Sequence, residues 1–192
     1  RTRLPRQTIL TEGFHPRRKR GQAIPINRQS YNRKSKAFIE KRLNNVLPDM
    51  SITMRNNLNR ALRKSIDEAT SLGMTGKAFD DYVAKGISKS LGKKNLGRAM
   101  NIARTEGTAV SNFGLQTSAK ETGIQLEKEW ITRRDGLVRD AHAFMDLQRV
   151  PQDDTFNVQG YSMERPGDES GGAPAGLVCN CRCSMIFHEV RI

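Results

Sequence analysis

The chain has 192 residues, of which 36% are hydrophobic, and a formal net charge of +13. That length supports one domain with an appendage and a modest core, and no apolar run approaches the ~20 residues of a membrane-spanning helix. The basic excess is local: residues 1–36 hold eleven Lys/Arg against one Glu, while the other 156 residues carry 22 basic and 19 acidic groups, so any polyanion binding written in net charge belongs to the amino-terminal arm.

Residues 1–34 read as that arm, extended in form. Pro5, Pro16, Gly21 and Pro25 break any helix, and the scattered apolar residues have no period. Arg17, Arg18, Lys19 and Arg20 are its candidate contacts. Such a cluster can neutralise DNA phosphates without reading sequence, or dock on an acidic protein surface, and both readings stay open here.

From Ser35 the pattern turns helical. A first helix is expected from Ser35 to about Leu47, stopped by Pro48. A second, capped by Ser51 or Thr53, carries Leu58, Leu62, Ile66 and Ala69 at helical spacing and ends at Gly73. A third opens at Thr75 and ends near Gly92. A fourth runs from about Lys94 to Thr122 and is rich in small residues that admit close backbone approach. Past Gly123 the period changes. Residues 125–132 read as a strand, Arg134-Asp135-Gly136 as a turn, 138–146 as a short helix, 148–178 as irregular with short strand candidates and a Gly/Pro-rich run, and 181–192 as a closing strand. The expected fold class is α+β: an extended arm (1–34), a helical region (35–95), then a small block with antiparallel strands (96–192).

The three cysteines, Cys179, Cys181 and Cys183, lie within five residues. A secreted disulfide framework would spread them out, so a reducing compartment at the time of folding fits better. In an extended strand all three would face one side. Their spacing of ~6.6 Å along a straight strand is too long for two ligands of one tetrahedral ion without a bend. Zinc, a labile disulfide and inert buried thiols are the three readings that spacing leaves. His142 offers an imidazole for hydrogen bonding, metal ligation or base catalysis, but no carboxylate metal cluster, nucleotide-binding loop or oxyanion signature accompanies it. Arg104 and Glu106 lie about 200° apart on a helix and cannot pair with each other. Arg104 is expected to reach Asp135 or Asp140, and Glu106 to reach Arg139.

Between Ile102 and Phe187 the chain carries, in order, Ala103-Arg104-Thr105-Glu106, Trp130, Asp135, Arg139-Asp140 with His142, Pro166-Gly167-Asp168 and Asn180-Cys181-Arg182-Cys183. Five ordered motifs over nearly half the chain make it resemble the phage Mu F-like family of minor head, or head morphogenesis, proteins of tailed phages. It departs from that pattern twice: Leu147 stands where a Gly commonly follows the His, and Cys179 is extra. The resemblance implies a minor structural protein packaged in the head interior near the portal vertex, after assembly in the host cytoplasm. Its implied partners are the portal protein, the major capsid protein and, through the arm, double-stranded DNA, with no membrane. It implies no catalytic residue. It also favours a structural zinc held by His142, Cys181 and Cys183, with Cys179, Asp135 or His188 as fourth ligand. Arg104, Glu106, Trp130, Asp135, Arg139 and Asp140 would then be structural. Two other readings stand beside it: a DNA-acting nuclease or transferase centred on His142 with Asp135, Arg139 and Glu106, and a DNA-condensing protein ejected with the genome.

Overall fold

The computed structural model describes residues 52–74, 76–91 and 96–190, with the short stretches 17–18, 22–23, 33–34, 37–39 and 41–42. The fold is α+β. Helices Ile52–Ser71, Gly76–Leu91 and Leu96–Glu121 come first, followed by strands and two short helices. Each expected long helix is present to within a residue or two. Of the expected helix at 35–47, residues 37–39, 41 and 42 are helical; Arg33 and Lys34 are helical too, although the arm was expected to run extended to residue 34 and Ser35 to cap the helix, and Ser35 and Pro48 themselves lie outside the described residues. In the arm, Arg17–Arg18 pairs antiparallel with Gln22–Ala23, so the reading as wholly extended gives way to a two-residue strand pair there. Lys19 and Arg20 lie outside the described residues. Among the described residues no helix is long and apolar enough to cross a membrane.

The helices make their own core. Apolar residues at three- and four-residue spacing put Leu58, Leu62, Ile66 and Ala69 on one face of the first long helix, against Val83, Ala84 and Ile87 of the second. Ile39 joins them. The third helix adds Ala99, Ala103 and Val110, whose small side chains let it lie close. Then the same helix changes partners: Leu115 and Ala119 belong to a second core with Leu126, Trp130, Met145, Phe156, Val158, Met163, Met185 and the thiols Cys181 and Cys183. Helix Leu96–Glu121 is therefore the beam shared by both halves.

In the second half, strand Leu126–Ile131 lies between Arg149–Pro151 and Ser184–Glu189, antiparallel to both. Strands Phe156–Val158 and Tyr161–Met163 form a separate hairpin. Residues 148–178, expected to be irregular with short strand candidates, hold these three short strands and, beyond that expectation, helix Ala175–Val178. Trp130 is fully buried at the centre, its ring edge-on to Phe156 at 5.2 Å and to His142 at 5.4 Å. Helix Asp140–Met145 is followed, after Asp146, by Leu147, whose φ is +66°. That left-handed conformation suits Gly and strains a Leu, which gives the physical reason a glycine is favoured there.

Candidate functional site

The cysteines do not lie on one extended strand. Cys179 follows the Ala175–Val178 helix, Asn180 turns the chain with a φ of +57°, and the closing strand starts only at Ser184. This bend separates Cys179 from the other two. Cys179 is exposed, while Cys181 and Cys183 are buried.

The turn is held in place by a polar row on the shared helix. Thr105, Thr108, Asn112 and Gln116 recur at three- and four-residue spacing and face the second half. The Asn180 N–H donates to Thr105 Oγ1 (2.9 Å), and the Thr108 hydroxyl donates to the Cys181 carbonyl (2.6 Å). Asn112 Nδ2 donates to the carbonyls of Cys183 (3.0 Å) and Pro166 (3.1 Å), and Gln116 Nε2 donates to Glu164 (3.0 Å). Every backbone carbonyl so engaged lies in a loop, where no ladder partner exists, so side chains satisfy it.

The bend brings Cys181 and Cys183 to His142. The His142 Nδ1 is 3.6 Å from Cys181 Sγ and 3.5 Å from Cys183 Sγ. One ligand atom from each residue lies within 4.8 Å of the others, and all three residues are buried. The Cys183 N–H points to Cys181 Sγ at 3.5 Å. The hydrogen bond from Cys181 lowers the Cys183 pKa to about 5; burial opposes this, and His142 and Trp130 assist. Cys181 is pushed up, because it keeps the proton it shares with Cys183 and is buried beside that charge. The cluster thus stores negative charge on sulfur in an apolar pocket, next to an imidazole.

The remaining motif residues are structural partners, several in pairings other than those expected. Arg104 reaches Asp80 (3.4 Å) and the Asn180 side chain (3.2 Å), not Asp135 or Asp140. Glu106 is buried and bound by Arg42 at 2.8 Å, not by Arg139. Burial raises the Glu106 pKa, and Arg42 partly offsets it. Asp135 takes both arms of Arg182 at 2.7 and 2.8 Å, which hold its carboxyl below the usual range. Arg139 donates to the Cys179 carbonyl. Asp140 is exposed in the first turn of its short helix, where a carboxylate suits the helix dipole. Asp135 and His188, the other expected fourth ligands, are engaged elsewhere, with Arg182 and Glu129 respectively.

Sequence reasoning missed Arg42, Arg165 and the polar row. The row had a signal, since Thr105, Thr108, Asn112 and Gln116 repeat at helical spacing. Arg42 had none, because its partners Glu106 and the Gly167 carbonyl are 64 and 125 residues away. Arg165 lies against the stacked rings of Phe38 and Phe113, 5.4 and 5.3 Å from their centres, and reaches Asp168. Asp168 in turn accepts from the Glu164 and Ser170 N–H groups, which fixes the Pro166-Gly167-Asp168 loop. Gly167, with a φ of +82°, rests on the Ala109 backbone, where an added Cβ would come within 3.3 Å of the Ala109 Cα.

The model of the family described as Phage Mu protein F like protein matches residues 62–186, more than half of the chain and the whole of the site. Among curated proteins, the chain is 27% identical over 145 residues to the Minor head protein GP7 of Bacillus phage SPP1, covering 74% of this chain and 43% of that protein. It is 31% identical over 114 residues to an NAD(+)--arginine ADP-ribosyltransferase of Enterococcus faecalis, covering 58% of this chain and 22% of that protein. The chain therefore spans less than half the length of either relative. No solved structure matches it.

Proposed function

The chain belongs to the phage Mu protein F like family, and from that premise we propose that it is a minor structural protein of a tailed-phage head. It sits at or near the portal and acts in head assembly and in DNA packaging, retention or delivery. The observation that carries this reading is the family match across residues 62–186, which includes most of both cores and the thiol–imidazole cluster; a relative that bears the name of a minor head protein supports it. The charges inside the block point the same way. Arg104, Glu106, Asp135 and Arg139 are each committed to a partner that holds two elements together, as a scaffold requires. The basic arm supplies the contact with DNA or with an acidic face of the portal or the major capsid protein.

Mass spectrometry of purified virions tests the placement. A few copies per particle are expected, and absence from the head fraction would overturn it. Removing residues 1–34 and measuring duplex binding against salt separates the arm's two partners. An unchanged affinity and salt slope would assign the arm to protein.

The likeness to an ADP-ribosyltransferase favours one alternative, transfer chemistry at this block. Most of that relative lies outside the aligned segment, and we assign its named activity to that remainder. Incubation with labelled NAD and arginine-rich acceptors should give no transfer, and incorporation that depends on His142 would reverse the assignment. DNA cleavage with divalent metal is the matching test for a nuclease.

A further inference from the structure

The arrangement around His142 goes further than a buried hydrogen bond. A ring nitrogen has one proton or one lone pair to aim, yet two sulfurs stand at 3.5 and 3.6 Å from the same Nδ1. A hydrogen bond selects one of them, whereas a shared ion accounts for both. With Zn–S near 2.3 Å and Zn–N near 2.0–2.1 Å, two ligands of a tetrahedral ion lie about 3.6 Å apart. The two Sγ···Nδ1 separations match that edge, and the whole set lies within 4.8 Å. The Cys183 N–H aimed at Cys181 Sγ is the kind of contact that stabilises a metal-bound thiolate. The buried Trp130 indole N–H lies on the Cys183 side of the cluster, where it favours the thiolate in the same way.

The donor set names the metal class. Two sulfurs and an imidazole, with no carboxylate among them, suit a soft or borderline ion and exclude calcium and magnesium. Two thiolates cancel the charge of a divalent ion, so the buried centre is neutral and avoids the cost of an unpaired charge.

We propose that His142 Nδ1, Cys181 Sγ and Cys183 Sγ hold one Zn²⁺ ion that ties the short helix to the turn before the last strand. Cys179 is not a ligand, because the bend at Asn180 carries it to the surface. Asp135 and His188 are held by Arg182 and Glu129. Among the described residues no fourth ligand joins the three, so the fourth position falls to solvent. The ion joins positions 39 and 41 residues apart in sequence, and it stabilises the block by closing that loop.

Metal analysis of the full chain, purified without chelator, should find about one equivalent of zinc in the wild type and in Cys179→Ser. Less than about a tenth of an equivalent in folded wild type, with no uptake on titration with zinc, overturns the site. Zinc-edge X-ray absorption should give two sulfur and two nitrogen or oxygen scatterers, one of them imidazole. Three sulfurs would bring Cys179 in and overturn the ligand set. His142→Ala and Cys183→Ser should each lower zinc affinity by at least about tenfold. Should either variant fail to fold, cobalt titration of Cys179→Ser still decides: intense tetrahedral bands with sulfur charge transfer are expected, and their absence counts against the site. Chelation of the wild type should lower its melting temperature, and an unchanged melt after proven metal loss would remove the stabilising role.

Discussion

Between residues 52 and 110 the helices are joined chiefly by aliphatic contact: Leu58, Leu62 and Ile66 against Val83 and Ile87, with Ala99 and Ala103 closing the gap. Between 126 and 189 the strands are three to six residues long, and polar side chains anchor the loops between them. The first half gains its stability locally, from neighbours in sequence. The second half depends on a few keystones drawn from far along the chain: Arg42, the polar row on the shared helix, Asp168 and the thiol–imidazole cluster. The contrast teaches that short strands around a buried Trp130 also need their loops fixed by polar contacts, where packed helices hold chiefly through apolar contact.

The sharpest way to break that contrast is to remove a keystone whose partner stays buried. Arg42→Met leaves the Glu106 carboxylate without its guanidinium and the Gly167 carbonyl without its donor. Chemical unfolding should show a loss of about 3–5 kcal/mol, with the double variant Arg42→Met/Glu106→Gln recovering much of it. A loss below about 1 kcal/mol for the single variant would mean that the two halves are not coupled through this pair.

Next comes a buried cation in the second half. Lys128 lies under the Phe156 ring, donates to the Glu164 carbonyl, and has its pKa lowered to about 8, chiefly by burial. The unfolded chain keeps the proton up to a pH near 10.4. Between pH ~8 and ~10.4 the unfolded state therefore binds more protons, and stability from this group rises with pH. Discounted for partial solvent screening, the rise should be ~1–3 kcal/mol. Unfolding curves of wild type and Lys128→Met should converge or cross across that window, and parallel curves would discard the idea.

A smaller loss is expected from Gly167→Ala, which places a Cβ against the Ala109 backbone at positive φ. It should cost ~1–3 kcal/mol, whereas Gly97→Ala, with open space around its Cβ, should stabilise the helix by up to ~1 kcal/mol. The smallest effect runs the other way. Leu147→Gly relieves a left-handed Leu that is half exposed, and should gain ~0.5 kcal/mol after the entropy of a freer unfolded chain is counted. A destabilised variant would show that the exposed Leu147 side chain contributes more packing than its surface position suggests.

The helical half was legible in the sequence because its core repeats at helical spacing: Leu58, Leu62, Ile66 and Ala69 announce their face directly. The central strand was legible from the change of period after Gly123. The pairings in the second half were not. Glu106 finds Arg42 across 64 residues and Arg104 finds Asp80, because long-range ion pairs follow from tertiary packing and leave no local trace. The route of the cysteines was hidden in one residue, Asn180, whose left-handed turn converts an alternating run into a bend. Asn tolerates that conformation better than most residues, so the signal existed, but it said only that a turn was permitted.

The polar row on the shared helix also orders events in time. A chain made from its amino terminus presents Thr105, Thr108 and Asn112 before Cys181 and Cys183 exist, so the receiving surface is complete when the last loop arrives. Synthesis stopped between residues 121 and 165 would leave that row bound to water in place of the loop groups it meets in the folded chain. The turn at Asn180 is in that sense docked onto a berth prepared about seventy residues earlier.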